Sequence, residues 1–349
     1  MNTRIYGTIG PACCDTDTLV RLFEKGMTGI RVNLSHSNLA DVAEWFGNIR
    51  EACLRSNTRT PELLMDLQGP ELRIGKLAMP RTLREGDMLT ILEDGRNNLF
   101  DPTEIPVPKM ILPYLHTGQQ VLIDDGKILL EAEDVFSLHG QETKENHAVE
   151  CRVLRGGVLQ GRKSIALPGT ELYPPTLTEN DRQNIANAKS YGITGVMLPF
   201  VRNKEDLQNL KQTLKEAGAE DIRVFAKIEN MDGVNRLPSL LPYCDEVVIA
   251  RGDLGNAMPL WKLPVIQAEL AKQCKEAEKP FMVVTQMLSS MEMAAVPTRA
   301  EVSDIFRAVQ EGAASVMLTG ETAAGRYPAE AMEYLVNTVK EAEKYISGV

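Results

Sequence analysis

The chain has 349 residues, 43% of them hydrophobic, enough for one large domain or a large domain carrying a smaller insertion. A formal net charge of −10 with no basic stripe excludes nucleic acid as a partner. No run reaches membrane-spanning length, and the N-terminus Met1-Asn2-Thr3-Arg4-Ile5 lacks the apolar segment of a signal peptide. The six cysteines form no CxxC pair and have no histidine at metal spacing, so they read as reduced thiols of a cytoplasmic protein, Cys13-Cys14 included.

In chain order, short apolar runs rich in β-branched residues fall at 5–9, 29–33, 63–66, 195–199, 224–228, 246–250, 281–284 and 316–318. Helical periodicity follows them at 15–25, 39–54, 179–190, 204–217, 263–278, 299–311 and 329–345. Strand–helix alternation with short connections implies a parallel sheet, and eight such units imply an α/β fold closed as a (β/α)8 TIM barrel. The rhythm breaks between the third and fourth strands. Alternating runs at 87–92 and 121–131, the latter around the turn Asp125-Gly126, read as hairpins of a small β-barrel domain. The expected boundaries are therefore 1–71 and 163–349 for the barrel and 72–162 for the insertion, a hinged lid over the face where the strands end.

Two strand ends stand out. Glu229 follows Val224-Phe225-Ala226-Lys227-Ile228, and Asp253 follows Val247-Val248-Ile249-Ala250-Arg251-Gly252. Carboxylates delivered by neighbouring parallel strands suit a hard divalent cation, with Lys227 placed to meet an anionic ligand. Other strand ends are polar too: Thr8; Arg31 with Asn33 and Ser35; Asp66 with Glu71; Thr285 with Gln286; Thr319 with Glu321. In a closed barrel all of these converge on one bowl. Taken from the residues alone, this describes a metal-assisted site for a small oxyanion. It leaves open an enzyme and a regulatory protein that binds without turnover.

Longer motifs narrow the choice. Thr8-Ile9-Gly10-Pro11-Ala12, Arg31-Val32-Asn33-Leu34-Ser35-His36, Asp66-Leu67-Gln68-Gly69-Pro70-Glu71, Lys227-Ile228-Glu229-Asn230, Ala250-Arg251-Gly252-Asp253-Leu254-Gly255, Thr285-Gln286-Met287-Leu288, Pro297-Thr298-Arg299-Ala300-Glu301-Val302-Ser303-Asp304 and Met317-Leu318-Thr319-Gly320-Glu321-Thr322-Ala323 occur in this order. Together they make the chain resemble the pyruvate kinase family over nearly its whole length. The resemblance implies the barrel with a lid after strand three, and phosphoryl transfer from phosphoenolpyruvate to ADP through an enolpyruvate held by Mg²⁺, giving pyruvate and ATP in glycolysis. The same scaffold leaves open a lyase, an aldolase or transfer to another acceptor, acting on a pyruvate-like acid.

The resemblance also implies roles. Glu229 and Asp253 would hold Mg²⁺ or Mn²⁺, while Asn33, Ser35, Asp66 and the Leu67 carbonyl would hold K⁺, with Glu71 the residue type of potassium-dependent members. Lys227 and Arg31 would face the transferring phosphoryl group. Gly252 and Asp253, opening a short helix, would meet the substrate carboxylate, and Thr285, Thr319 and Glu321 would order a proton relay. Arg31, His36, Pro11 and Lys163 would contact nucleotide. Departures from the family pattern are Gln68 for lysine, Ser37 for glycine, Ala166 for asparagine, Ala257 for an acidic residue, and Phe306-Arg307 for a small residue and asparagine. The sequence ends at Val349, where the family's C-terminal allosteric domain would begin. The expectation is a protein without that regulation, pairing as a homodimer through barrel helices.

Overall fold

The computed structural model describes residues 3–348 except 36, 70–71, 99, 125, 138–146 and 171–173. His36, Glu71 and Asp125, named above, therefore lie outside the described residues. By its internal contacts the chain divides into two units, Met1–Pro70 with Thr176–Val349, and Glu71–Pro175.

The first unit is a closed barrel of eight parallel strands: Arg4–Ile9, Gly29–Asn33, Glu62–Asp66, Gly195–Leu198, Arg223–Ile228, Glu246–Ala250, Phe281–Val284 and Ser315–Leu318. It closes by pairing of the eighth strand with the first, Arg4 opposite Ser315 and Gly7 opposite Leu318. The near-continuous apolar runs follow from burial on both faces: inward residues fill the barrel, and outward ones lie under the helices. Tyr6, Leu64, Met197, Phe225, Val248, Met282 and Met317 pack together as one buried cluster. Two rings need glycine neighbours. A Cβ on Gly29 would lie 2.2 Å from Tyr6 Cε1, and one on Gly195 would lie 2.7 Å from Phe225 Cε2.

The helices begin where the sequence provides caps. Thr178 opens Glu179–Asn187 and Thr298 opens Arg299–Gln310, each through a reciprocal capping box with the acid three residues on. The helix Met231–Leu240 was not apparent from periodicity, because Gly233 and Pro238 interrupt its pattern. Asn230 starts it by accepting the Gly233 N–H at 2.8 Å. Two substitutions against the family pattern tie helices together. Phe306 packs its ring 5.5 Å from Tyr345, and Arg307 reaches the Pro264 carbonyl and Glu311.

At the mouth where the strands begin, charge is enclosed. Glu246, fully buried, accepts from Arg4, Arg223 and Ser315, while Glu62 accepts from Arg4, Arg223 and the Tyr6 hydroxyl.

The second unit is the small inserted β-barrel domain. A six-stranded sheet and a two-stranded sheet surround a core that includes Ile91, Ile105, Val121, Leu130, Val149 and Val153. The expected hairpin is present, with Gln120–Ile123 antiparallel to Ile128–Ser137 and Ile123 opposite Ile128. The run at 87–92 becomes the strand Met88–Glu93, which lies antiparallel to His147–Arg155 on one side and parallel to Glu104–Val107 on the other.

Candidate active site at the C-terminal mouth of the barrel

Parallel strands end where their last side chains turn into the bowl, and there the structure assembles a charged cluster. Lys227, next to the last residue of the fifth strand, sits 3.1 Å from Asp66 Oδ2 and 2.9 Å from Glu229 Oε1. Arg31, from the second strand, donates to the same Asp66 oxygen through Nε at 2.8 Å and Nη2 at 2.6 Å, and through Nη1 to Thr8 Oγ1 at 3.1 Å. Thr8 in turn donates to the Leu318 carbonyl at 3.0 Å, which joins the first and eighth strands to the cluster. Two cations thus share one oxygen of Asp66. Its other oxygen, Oδ1, is buried and has no hydrogen-bond partner among the described residues.

The electrostatics follow from burial and neighbours. Burial pushes the Asp66 carboxyl up, but Lys227 and Arg31 overcome it and hold the group below its ordinary value. For Glu229, burial wins: the carboxyl is raised despite Lys227, with the charges of Asp253 and Asp66 adding to the effect. Lys227 itself would lose its proton more readily in a dry site, yet Asp66 and Glu229 hold its pKa above the ordinary value.

Glu229 is oriented from an unexpected quarter. Its Oε2 accepts the N–H of Phe200 at 2.8 Å, and Phe200 has a left-handed backbone, φ 52°. Nothing in the sequence beyond the apolar Pro199-Phe200 pair after a strand signals this contact. Asp253 lies on the short helix Arg251–Asn256, as the Gly252-Asp253 pair implied, near enough to Glu229 for its charge to raise that carboxyl. Arg251, 8% exposed, turns to Asp304 and to the Thr285 carbonyl.

The Thr285–Gln286 segment carries backbone strain. Both residues have positive φ, 73° and 55°, in a region a β-branched threonine rarely adopts. The Arg251 guanidinium on the Thr285 carbonyl holds this turn, at 2.8 Å from Nη2. A Cβ on Gly252 would come within 3.0 Å of Thr285 Cγ2, so glycine permits the close approach of these two loops. At the next strand end, buried Glu321 accepts Thr319 N at 2.7 Å and Thr319 Oγ1 at 3.3 Å through Oε2, and Leu288 N at 3.0 Å through Oε1.

The remaining predicted residues are placed as follows. Asn33 stands opposite Asp66 in the strand register, and Ser35 Oγ donates to Asn33 Oδ1 at 2.9 Å. Leu67 is buried, its N–H bound to the Met197 carbonyl at 3.1 Å. Pro11 is exposed in the loop after the first strand, and neighbouring Ala12 donates to the Ala323 carbonyl at 3.0 Å. Lys163 belongs to the second unit, where it pairs with Asp124 at 3.1 Å. Among the described residues no group of three or more His, Cys, Asp or Glu is arranged to hold a metal. A Mg²⁺ site does not require one, because two carboxylates with substrate and water oxygens suffice.

The fold and this bowl define a (β/α)8-barrel protein whose strand ends carry a mixed cluster of acids and cations. The family model for the pyruvate kinase barrel domain matches residues 1–332, and the chain belongs to the pyruvate kinase family. It is 38% identical over 332 residues to the pyruvate kinase of Geobacillus stearothermophilus, covering 95% of this chain and 55% of the relative. It is 37% identical to the pyruvate kinase of Thermococcus litoralis, covering 98% of this chain and 70% of that protein. A crystal structure of a pyruvate kinase from Cryptosporidium parvum superposes with a TM-score of 0.84 at 33% identity, covering 98% of this chain and 69% of that one. The chain thus spans between about half and about two thirds of the length of these relatives.

Proposed function

We propose that this chain transfers a phosphoryl group between phosphoenolpyruvate and ADP, forming pyruvate and ATP. The observation that carries the reading is the Lys227 ammonium, held between Asp66 and Glu229, with Arg31 on the same Asp66 oxygen. A loose phosphoryl-transfer transition state spreads charge over the transferring oxygens, and fixed cations stabilise it. Lys227 does this only while protonated, which its two acidic neighbours secure. Arg31 adds a planar fork of donors beside it.

Two cation sites fit the donors present. Glu229 is a carboxyl whose charge is disfavoured by burial and by Asp253, a penalty that a divalent ion beside both acids would relieve. Buried Asp66 Oδ1 lacks a hydrogen-bond partner among the described residues, as an atom meant for a cation would. Glu229 and Asp253 would hold Mg²⁺ or Mn²⁺, which when bound supplies positive charge to the substrate carboxylate and the developing enolate oxygen. Asp66, Asn33, Ser35 and the Leu67 carbonyl would hold K⁺. Thr285 sits in a strained turn, and Glu321 orients the Thr319 hydroxyl. Together they would order a proton path to the enolate carbon. Gly252 with Asp253 would meet the substrate carboxylate, and Pro11 and His36 with Arg31 the nucleotide.

The six free thiols support a reducing, cytoplasmic setting. Exposed Val265 on the helix Leu263–Glu276, with exposed Leu260 and Trp261 just before it, supports pairing of two copies through barrel helices. Among the described residues, no helix is long and apolar enough to cross a membrane.

The test is pyruvate formation from phosphoenolpyruvate with a panel of nucleoside diphosphates, with and without Mg²⁺ and K⁺. Pyruvate that appears only with nucleotide and Mg²⁺ is the expected result. In that assay Asp253→Ala shifts half-saturation by Mg²⁺ at least tenfold upward. Solvent exchange of pyruvate methyl protons without transfer to any nucleotide overturns the phosphotransferase reading in favour of another enolate chemistry.

A further inference from the structure

The loop after the third strand is held by a residue outside the bowl. Asp181, fully buried, lies in the first turn of the helix Glu179–Asn187. Its Oδ1 accepts the Gln68 N–H at 2.8 Å, and its Oδ2 accepts the N–H of Gly69 at 3.0 Å and of Thr178 at 2.9 Å. Three amides therefore converge on one carboxylate. The first two follow Asp66 and Leu67 directly, and the third lies just beyond Thr176, where the chain re-enters the barrel unit. A single carboxylate thus binds both barrel-side ends of the insertion. An ordinary capping acid serves its own helix. This one spends most of its acceptors on a loop more than a hundred residues away in sequence, |i−j| being 113 and 112.

The loop so gripped is fixed on its other side too. Gly69 has φ +64°, and a Cβ there would lie 2.4 Å from Pro199 Cγ, so the loop presses on Pro199. The next residue is Phe200, whose N–H binds Glu229. Leu67 N–H binds the Met197 carbonyl at 3.1 Å, completing a frame of backbone contacts around Asp66.

We propose that Asp181 is a positioning residue for the monovalent-cation site, setting the Asp66–Gly69 loop and anchoring both chain crossings to the barrel. This rests on the reading of Asp66 and Leu67 as cation ligands given above, and extends it to a residue that touches no ligand. Asp181→Asn nearly preserves shape but puts an amide where an acceptor oxygen meets N–H groups, so at least one of the three bonds is lost.

Two measurements on the full chain test this. In hydrogen exchange, Asp181→Asn should speed exchange of the Gln68, Gly69 and Thr178 amides at least tenfold, with amides of the strand Phe281–Val284 unchanged. In thermal unfolding against KCl, with choline chloride as the ionic-strength control, half-saturating K⁺ should rise about tenfold, as for other residues that orient metal ligands. A merely structural acid would lower the melting temperature without moving the K⁺ midpoint, and that result overturns the positioning role. Unchanged protection of the three amides overturns the anchor. A wild-type protein with no K⁺-specific stabilisation removes the cation reading instead, while the amide data still decide the anchor. Should Asp181→Asn fail to fold, the wild-type amides decide it: rapid exchange at Gln68 and Gly69 overturns the proposal.

Discussion

Where the barrel strands begin, Arg4 and Arg223 face Glu62 and Glu246, two cations against two acids, with Tyr6 and Ser315 filling further acceptor positions. Where they end, Lys227 and Arg31 share one oxygen of Asp66, Lys227 also meets Glu229, and Asp66 Oδ1 has no hydrogen-bond partner among the described residues. The residue types are alike and the elements are the same strands. What differs is completeness. At the first mouth every oxygen of Glu62 and Glu246 meets a donor, whereas at the second a buried carboxylate oxygen has no hydrogen-bond partner among the described residues. A buried carboxylate oxygen without a donor is a place where a positive charge would lower the energy.

The contrast can be broken or sharpened by matched substitutions. The largest effect is expected from Lys227→Met, which should lower phosphoryl transfer about 10³-fold while the fold remains, as judged by rate and circular dichroism together. Normal transfer by this variant would remove Lys227 from the chemistry. At the opposite mouth, Glu246→Gln should leave turnover unchanged but cost about 3 kcal/mol in urea unfolding, because Arg4 and Arg223 lose a buried counter-charge. A neutral outcome there would mean that the enclosed network contributes little.

Thr285→Gly should stabilise the protein by about 1 kcal/mol by relieving the positive-φ strain, while slowing proton exchange on pyruvate. A loss of stability would show that the turn is not strained. The smallest effect is expected from Glu229→Gln in the metal-free protein. The Glu229 carboxyl is raised above its ordinary value of 4.5, so the folded state holds its proton more tightly than the unfolded state. Its contribution is therefore fully present below that ordinary value and lost as pH rises through the raised one. Metal-free wild type should lose stability relative to Glu229→Gln between acid and neutral pH, by roughly 2 °C or less, and Mg²⁺ should reverse the order. A difference in melting temperature that is flat with pH would count against the raised carboxyl.

Much of this was legible along the chain. Gly29–Asn33, Glu246–Ala250 and Phe281–Val284 match the sequence-derived spans, because strands buried on both faces must be apolar runs of limited length. The bowl was legible for a related reason: parallel strands place every C-terminal end on one side, so polar residues just past each run converge once the barrel closes. The Met231–Leu240 helix was not, since Gly233 and Pro238 mask a pattern that the Asn230 cap and neighbouring packing sustain.

The sequence by itself determined the eight strands and most of the helices between them, the place of the insertion and which residue types gather at the strand ends, all of which depend on local periodicity. Only the tertiary structure decided which acid takes which partner: that Lys227 and Arg31 share one oxygen of Asp66, that Arg251 turns to Asp304, and that the Phe200 amide orients Glu229. It alone brought Asp181 to the loop after Asp66. Such choices depend on distances between segments far apart in the chain and on how much water the finished bowl excludes, and neither is written in any local run of residues.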